Sequence, residues 1–339
     1  MTKIFFTFIP GLILVKYLEG IPYILIARDL ALILGWLVLF LFILGLIIGV
    51  VGGWFLASKR KLALFKLEKK SRILFFTPHP DDEILAAGGL LADFLKRKIP
   101  LKVVFLTNGD GNASLFFKDK KFRFSPQKFI NTGEKRQQEA YQAFEKLGGQ
   151  KRNLIFLGYP DGCLWSMWRD FKKKIISKTT QLDHSPYRIA FSLNTEYKGI
   201  NLENDLLKII KDFKPTVIFV PHLKEAHPDH RASFLFVKRV RKKLNWQGKI
   251  YQYLVHYKVF KFFRVYPARR KFNEGLKIIY PPYSLLGKGE WFSFWLSPWQ
   301  LAKKKKALKS YQSQLIVPSL KLLFRSFLAQ NEIFYLSSS

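Results

Sequence analysis

Two short apolar runs, each followed by a histidine-proline-aspartate turn, constrain this chain more than any other feature. Ile73 to Thr77 leads into His79-Pro80-Asp81-Asp82-Glu83, and Val217 to Val220 is followed by His227-Pro228-Asp229-His230. A short apolar run of this kind reads as a strand buried on both faces, as in a parallel sheet covered by helices. Such sheets bind ligands along the rim formed by the carboxyl ends of their strands. The two clusters, about 150 residues apart in the chain, are therefore expected on one rim.

The segments between them alternate as βαβ units do. Strands are expected at 72–77, 101–107, 153–157, 217–220 and 249–257, with helices at 84–96, 132–147 and 201–213. Gly148-Gly149 is a stop signal for the second helix, and Pro228 opens a basic amphipathic helix over 228–244 at the position where a helix has no amide to lose. The predicted fold class is α/β: a Rossmann-like, mostly parallel sheet flanked by helices, preceded by an N-terminal transmembrane helix. Residues 109–131, rich in Lys, Phe and small polar residues, read as a long loop, either a lid or a surface insertion. Further helices are expected near 302–314 and 320–331. Trp291, Trp295 and Trp299 suit either the core or a lipid interface.

Ala31 to Ala57 carries no charge and exceeds the ~20 residues that a bilayer-spanning helix needs. It is followed by Lys59, Arg60, Lys61, Lys66, Lys69, Lys70 and Arg72 against Glu68 alone, so the positive-inside rule predicts a single-pass membrane protein with its catalytic domain in the cytoplasm. Phe5 to Val15 is apolar but is followed by Lys16 and Glu19, and reads as interfacial or buried. The expected organisation is an apolar segment at 1–29, the transmembrane helix at 30–58, a basic linker at 59–71, the enzymatic domain at 72–316 and a C-terminal amphipathic extension at 317–339. A net charge of +33 calls for an anionic neighbour, and an anionic membrane surface accounts for it without a nucleic-acid motif. The single cysteine, Cys163, excludes an intrachain disulfide.

At a strand-to-helix turn His79 and Asp82 reach one point, and His230 can join them from the second cluster. Two imidazoles and a carboxylate form an N/O set for a catalytic divalent metal with an open position. Asp81 then remains unligated beside the metal-bound water, placed to act as general base. His227, one turn before His230, is expected to stabilise an oxyanion as imidazolium or to protonate a leaving amine. Glu83 and Asp229 read as groups that orient ligands or cap helices. His222 reads as a loop residue, and His184 and His256 have no assigned role. A lone His-Pro-Asp is an ordinary helix start; two of them after strands of one sheet are not. The same ligand set occurs in iron-dependent oxygenases, but on β-barrels with His-x-Asp spacing.

Pro78-His79-Pro80-Asp81-Asp82-Glu83 with His227-Pro228-Asp229-His230 resembles the PIG-L/LmbE-like de-N-acetylase family over about 72–316. Gly133-Glu134-Lys135-Arg136 with Glu139, Gly158-Tyr159-Pro160-Asp161-Gly162 and Lys306-Ala307-Leu308 to Ser313-Gln314 are similar to further family motifs. The resemblance implies a zinc-dependent hydrolase, with Fe2+ as another candidate metal, that removes the acetyl group from an N-acetylated amino sugar such as an N-acetylglucosaminyl glycolipid. It also implies that Arg136 and Asp161 contact the substrate. Glu225 stands where some family members carry a tyrosine, which puts tyrosine-assisted oxyanion stabilisation in doubt. The competing readings are hydrolysis of another sugar-linked amide and a non-catalytic, membrane-tethered basic binding module.

Overall fold

The computed structural model describes residues 7–9, 12–14, 22–58, 62–68, 70–112, 114, 123–260, 264–265, 277–287 and 289–337. They divide into two units, Met1–Lys61 and Leu62–Ser339. In the first, β1 (Thr7–Ile9) and β2 (Leu12–Leu14) pair antiparallel, and α1 runs from Pro22 to Ser58. Within α1, Leu30–Val51 has a mean hydropathy of 3.0 and none of it is buried. At 1.5 Å per residue it is about 33 Å long, enough to cross a hydrocarbon core. The rest of the expected apolar segment Phe5 to Val15 and residues 59–61 and 69 of the basic linker lie outside the described residues.

The second unit is built on an eight-stranded sheet. Its strands are β3 (Ala63–Leu64), β4 (Ile73–Thr77), β5 (Leu101–Thr107), β6 (Leu154–Tyr159), β7 (Val217–Pro221), β8 (Lys249–Tyr253), β11 (Gly289–Trp295) and β12 (Asn331–Ser337), in the order β3-β11-β12-β8-β7-β4-β5-β6. The short β9 (Lys258–Phe260) and β10 (Arg264–Val265) pair separately. Strands β8, β7, β4, β5 and β6 are parallel throughout, as expected. Alternation along them feeds two cores. Ile73, Phe75, Val103, Phe105 and Phe219 face one side; Leu74, Phe76, Val104, Leu106, Ile218 and Val220 face the other. That two-sided burial is why the sequence runs apolar instead of alternating.

Helices cover both faces: α2 (Asp82–Lys96), α3 (Pro126–Leu147), α4 (Leu164–Arg169), α5 (Gly199–Phe213), α6 (Pro228–Lys243), α7 (Pro298–Leu308), α8 (Gln312–Leu315) and α9 (Pro318–Ser326). From β4 the chain winds outward through β5 to β6, then returns to place β7 on the other side of β4. The connections leaving β4 and β7 diverge there, and the crevice between them lies where both histidine clusters begin.

Three features depart from the sequence reading. The stretch expected as a C-terminal extension supplies β12, an interior strand antiparallel to both β8 and β11. A seven-residue strand was obscured there because Asn331 and Glu332 are buried polar residues that break the apolar pattern. Helix α3 begins at Pro126, inside the expected loop 109–131, of which residues 113 and 115–122 lie outside the described residues. Of the three tryptophans, Trp291 is core, whereas Trp295 and Trp299 are exposed.

Helix α2 is kinked at Ala87, where φ is −145°. The kink frees backbone groups, and a buried ion pair takes them up. Glu332 accepts the N–H of Gly89 and of Leu90, both at 2.8 Å, while Lys304 donates to Leu85 O at 2.9 Å and pairs with Glu332 at 2.7 Å. Gly89 permits the close approach of the neighbouring chain, since a Cβ there would lie 2.3 Å from Leu296 Cδ2. The carboxyl half of α2 is thus tied to β12 and α7, and its amino end carries Asp82.

Candidate metal centre

Every side chain of the cluster lies at the carboxyl end of a parallel strand. His79, Asp81 and Asp82 follow β4; Asp110 follows β5; Asp161 follows β6; His227, Asp229 and His230 follow β7; His256 follows β8. His79 Nδ1 and His230 Nε2 each lie 3.1 Å from the same oxygen, Asp82 Oδ2. The three residues assigned as metal ligands are therefore brought to one point. Sets of donor atoms within 4.8 Å of one another are His79/His227/His230, Asp82/His230/His256 and His79/Asp161/Asp229. All of them draw on this one cluster.

Among the described residues, His79 Nε2, both ring nitrogens of His230 and Asp82 Oδ1 are buried and make no well-aligned hydrogen bond, although His79 Nε2 lies 3.0 Å from Asp161 and His230 Nε2 3.1 Å from Asp82. Buried donors and acceptors left unsatisfied cost about 1–3 kcal/mol each, and a cation bound among them would remove that cost. Burial works to raise the Asp82 carboxyl, but the His230 and His79 imidazoles outweigh it and hold Asp82 well below the usual carboxylate range. An ionised carboxylate between two imidazoles is the donor set that Zn2+ or Fe2+ accepts. The residues fit the implied metal.

Asp81 sits apart from that point. Its φ of 122° places it in a backbone region that non-glycine residues rarely occupy, and its neighbours hold it there. Glu83 Oε2 accepts the Asp81 N–H at 3.0 Å, Tyr311 donates its hydroxyl to Glu83 Oε1, and Arg136 Nη2 donates to Asp81 Oδ2 at 3.0 Å. Burial pushes the Asp81 carboxyl well above its usual range; Arg136 opposes this, while Asp82 and Glu83 reinforce it. Asp81 is a carboxyl group poised to hold a proton.

His227 departs from expectation in charge. Its Nδ1 accepts the Asp229 N–H at 3.3 Å as the N-cap of α6, so the ring proton of the neutral form resides on Nε2. Burial, reinforced by His79 and His230, pushes its pKa down to about 4. That shift favours a neutral ring with an N–H to donate over the imidazolium expected from the sequence.

Arg136 and Asp161 both line the cleft, but most of their polar atoms are engaged by the protein, Arg136 Nε being the exception. Besides Asp81, Arg136 donates to Gly109 O at 2.9 Å and to Pro80 O. It clamps the Asp81 turn, and Gly109, at φ 62°, leaves room for the guanidinium. Asp161 lies 3.0 Å from His79 Nε2 and accepts the Gly111 N–H at 3.0 Å. Glu139, three residues after Arg136 on the same helix, accepts from the Ser313 amide and hydroxyl. Asp229 accepts the N–H groups of Gly162 and Leu164 at 2.7 and 3.1 Å, which fixes the loop after β6 against α6.

Two residues gain a place that the sequence did not give them. His256 Nε2 lies 3.7 Å from Asp82 Oδ1, and its ring centroid is 4.9 Å from that of His230. Its signal was positional: it closely follows the strand beside β7. Glu225 accepts the N–H groups of Val255 and His256, both at 2.6 Å, and ties the loop after β7 to the loop after β8. Burial pushes its carboxyl up to about 7. His222 lies at the start of that loop, as expected, and His184 pairs with Asp183 at 2.7 Å, in the segment between α4 and α5.

The cluster opens into a cleft of about 270 Å³. Its lining includes His79, Asp81, Arg136, Asp161, His227 and His256, and the C-terminal segment adds Val317, Leu320, Leu323 and Phe324 together with the polar Gln314 and Ser319.

Comparison with known proteins agrees with the motifs. The model of the GlcNAc-PI de-N-acetylase family, PIG-L, matches residues 74–240. A 1D-myo-inositol 2-acetamido-2-deoxy-alpha-D-glucopyranoside deacetylase of Mycobacterium sp. (strain KMS) is 28% identical over 191 residues, covering 52% of this chain and 52% of the relative. The chain thus spans about half the length of the curated relatives it matches. Among solved structures, N,N'-diacetylchitobiose deacetylase from Pyrococcus horikoshii superposes with a TM-score of 0.48 at 16% identity, over 80% of this chain and 87% of that one. The zinc-inhibited form of teicoplanin deacetylase gives 0.49 at 16% identity, over 79% and 98%. The match to the PIG-L family model at residues 74–240 takes in both histidine clusters.

Proposed function

We propose that this protein is a metal-dependent hydrolase that removes the N-acetyl group from an amino-sugar conjugate. The observation that carries the reading is the meeting of His79, Asp82 and His230 at one oxygen, with buried ligand atoms that lack a well-aligned hydrogen bond around it and Asp81 held apart. His79, Asp82 and His230 would hold Zn2+ or Fe2+. When bound, the cation acts as a Lewis acid and lowers the pKa of a coordinated water toward neutrality. Asp81 accepts the proton from the attacking water, a role that its raised affinity for protons supports. His227 Nε2–H donates to the carbonyl oxygen as negative charge develops there, and does so as a neutral donor. Asp81 then returns its proton to the leaving amine, so that acetate and the free amino sugar are released. Arg136 holds Asp81 in position, and both Arg136 and Asp161 are available to sugar hydroxyls only at the edge of the contacts they already make.

The names of the mycobacterial and archaeal relatives support an N-acetylated amino sugar as substrate. The apolar residues that α9 adds to the lining support a conjugate whose attached group is apolar, such as a lipid. Membrane anchorage through Leu30–Val51, with the basic residues from Lys59 to Arg72 on the cytoplasmic side against anionic lipid, completes the reading.

The test is release of acetate by the full-length protein from N-acetylglucosaminyl lipids and soluble N-acetylglucosaminyl conjugates, with and without a chelator. Acetate release that stops on chelation and returns with Zn2+ or Fe2+ is expected. Release that ignores the chelator removes the metal mechanism, and no release from any conjugate removes the substrate class.

A further inference from the structure

A second pocket, of about 310 Å³, opens beside α6, β8 and the loop after β7, and the metal-centre residues do not line it. Three cations do: Lys224, Lys238 and Arg241; no carboxylate is among the lining residues. Their lack of partners contrasts with the other face of the same helix. Arg239 and Lys243 both bind Glu203, at 2.8 and 3.3 Å, whereas Lys224, Lys238 and Arg241 have no ion pair among the described residues. Arg241 donates only its Nε, to Trp246 O at 3.3 Å, which leaves its terminal nitrogens available.

Two buried neutral polar groups also line it, beside the apolar Leu223, Phe234, Ile250 and Leu285 and the ring of Tyr335. His222 is 6% and Gln252 3% exposed. His222 Nδ1 accepts the Lys224 N–H at 2.9 Å, so the proton of the neutral ring is on Nε2. Burial, together with Lys224, pushes this imidazole down to about 4, and it remains neutral. Its plane is set by the Trp291 ring at 6.4 Å and the Tyr335 ring at 5.0 Å. Among the described residues, neither the His222 Nε2–H nor the Gln252 side-chain amide has a hydrogen-bond partner. An amide and an imidazole N–H that open into the pocket beside three cations without ion pairs suit an acceptor-rich anion.

We propose that this pocket binds a phosphate group, as free phosphate or as the phosphate of a lipid headgroup. Phosphate offers the charge to offset the cations and enough oxygens to satisfy five donor-bearing side chains, which a carboxylate does not. The loop that begins at His222 also carries Glu225 and His227, so occupancy of the pocket stiffens the segment that leads to the metal centre. The site is independent of the proposed hydrolysis.

The test is calorimetric titration of full-length protein in nonionic detergent, stripped of metal so that phosphate has no cation to bind at the cluster. The titrants are inorganic phosphate and a short-chain phosphatidic acid. Saturable binding is expected for the wild type, weakened about tenfold or more in Lys238→Glu/Arg241→Glu and in the milder Lys238→Gln/Arg241→Gln, and unchanged in His227→Ala. Tighter binding of phosphatidic acid identifies the headgroup as the source; equal or tighter binding of inorganic phosphate identifies the free ion. No saturable binding of either titrant, or wild-type affinity in both double variants, overturns the proposal.

Discussion

Replacing Asp81 with asparagine is expected to slow acetate release by about 10²- to 10⁴-fold, the usual worth of a positioned general base, and to leave the bound metal in place. Asparagine is the informative substitution because it keeps the features that hold the turn. It tolerates positive φ better than most residues, and position 81 has φ 122°. Its amide oxygen still accepts from Arg136 Nη2, which lies 3.0 Å from Asp81 Oδ2. What it lacks is the ability to take a proton from water. The checks are the rate of acetate release and the melting temperature of the same preparation. A rate within a few-fold of wild type would transfer the base to another group, with His256 the next candidate by position.

Glu332→Ala is expected to destabilise the second unit by about 3–5 kcal/mol, since it leaves a buried ammonium unpaired. The cost extends beyond the Lys304 pair: the same carboxylate accepts the Gly89 and Leu90 amides freed by the kink in α2. Burial already lowers the Lys304 pKa against the pull of Glu332, so loss of the partner lowers it further. Replacing both partners, as Lys304→Met/Glu332→Leu, should recover part of the loss by removing the stranded charge. Denaturant unfolding of the single and double variants measures this, and a single-variant cost below about 1 kcal/mol would mean that the pair is dispensable to α2.

The parallel core and the metal cluster were legible because both rest on local patterns. Buried parallel strands read as apolar runs, and the residues that matter follow directly at their carboxyl ends, as His79 follows Thr77. What escaped was written in tertiary contacts. Strand β12 begins with Asn331 and Glu332, whose burial is explained only by Ile279, Ser293, Lys304 and the kinked helix. The contacts of Arg136 with Asp81 and Gly109 O have no local signal either. His256 carries no motif of its own; adjacency of β8 to β7 brings it to the site. The charge state of His227 likewise depends on burial and on its two neighbouring imidazoles.

Metal content is the most direct test of the central claim. Wild type, Asp81→Asn and Asp82→Ala, expressed and purified in parallel, can be compared by elemental analysis at equal protein concentration. The account predicts bound Zn2+ or Fe2+ in the wild type and in Asp81→Asn, and its loss from Asp82→Ala, because Asp82 Oδ2 is the atom on which His79 and His230 converge. Metal retained by Asp82→Ala, or lost from Asp81→Asn, would contradict it.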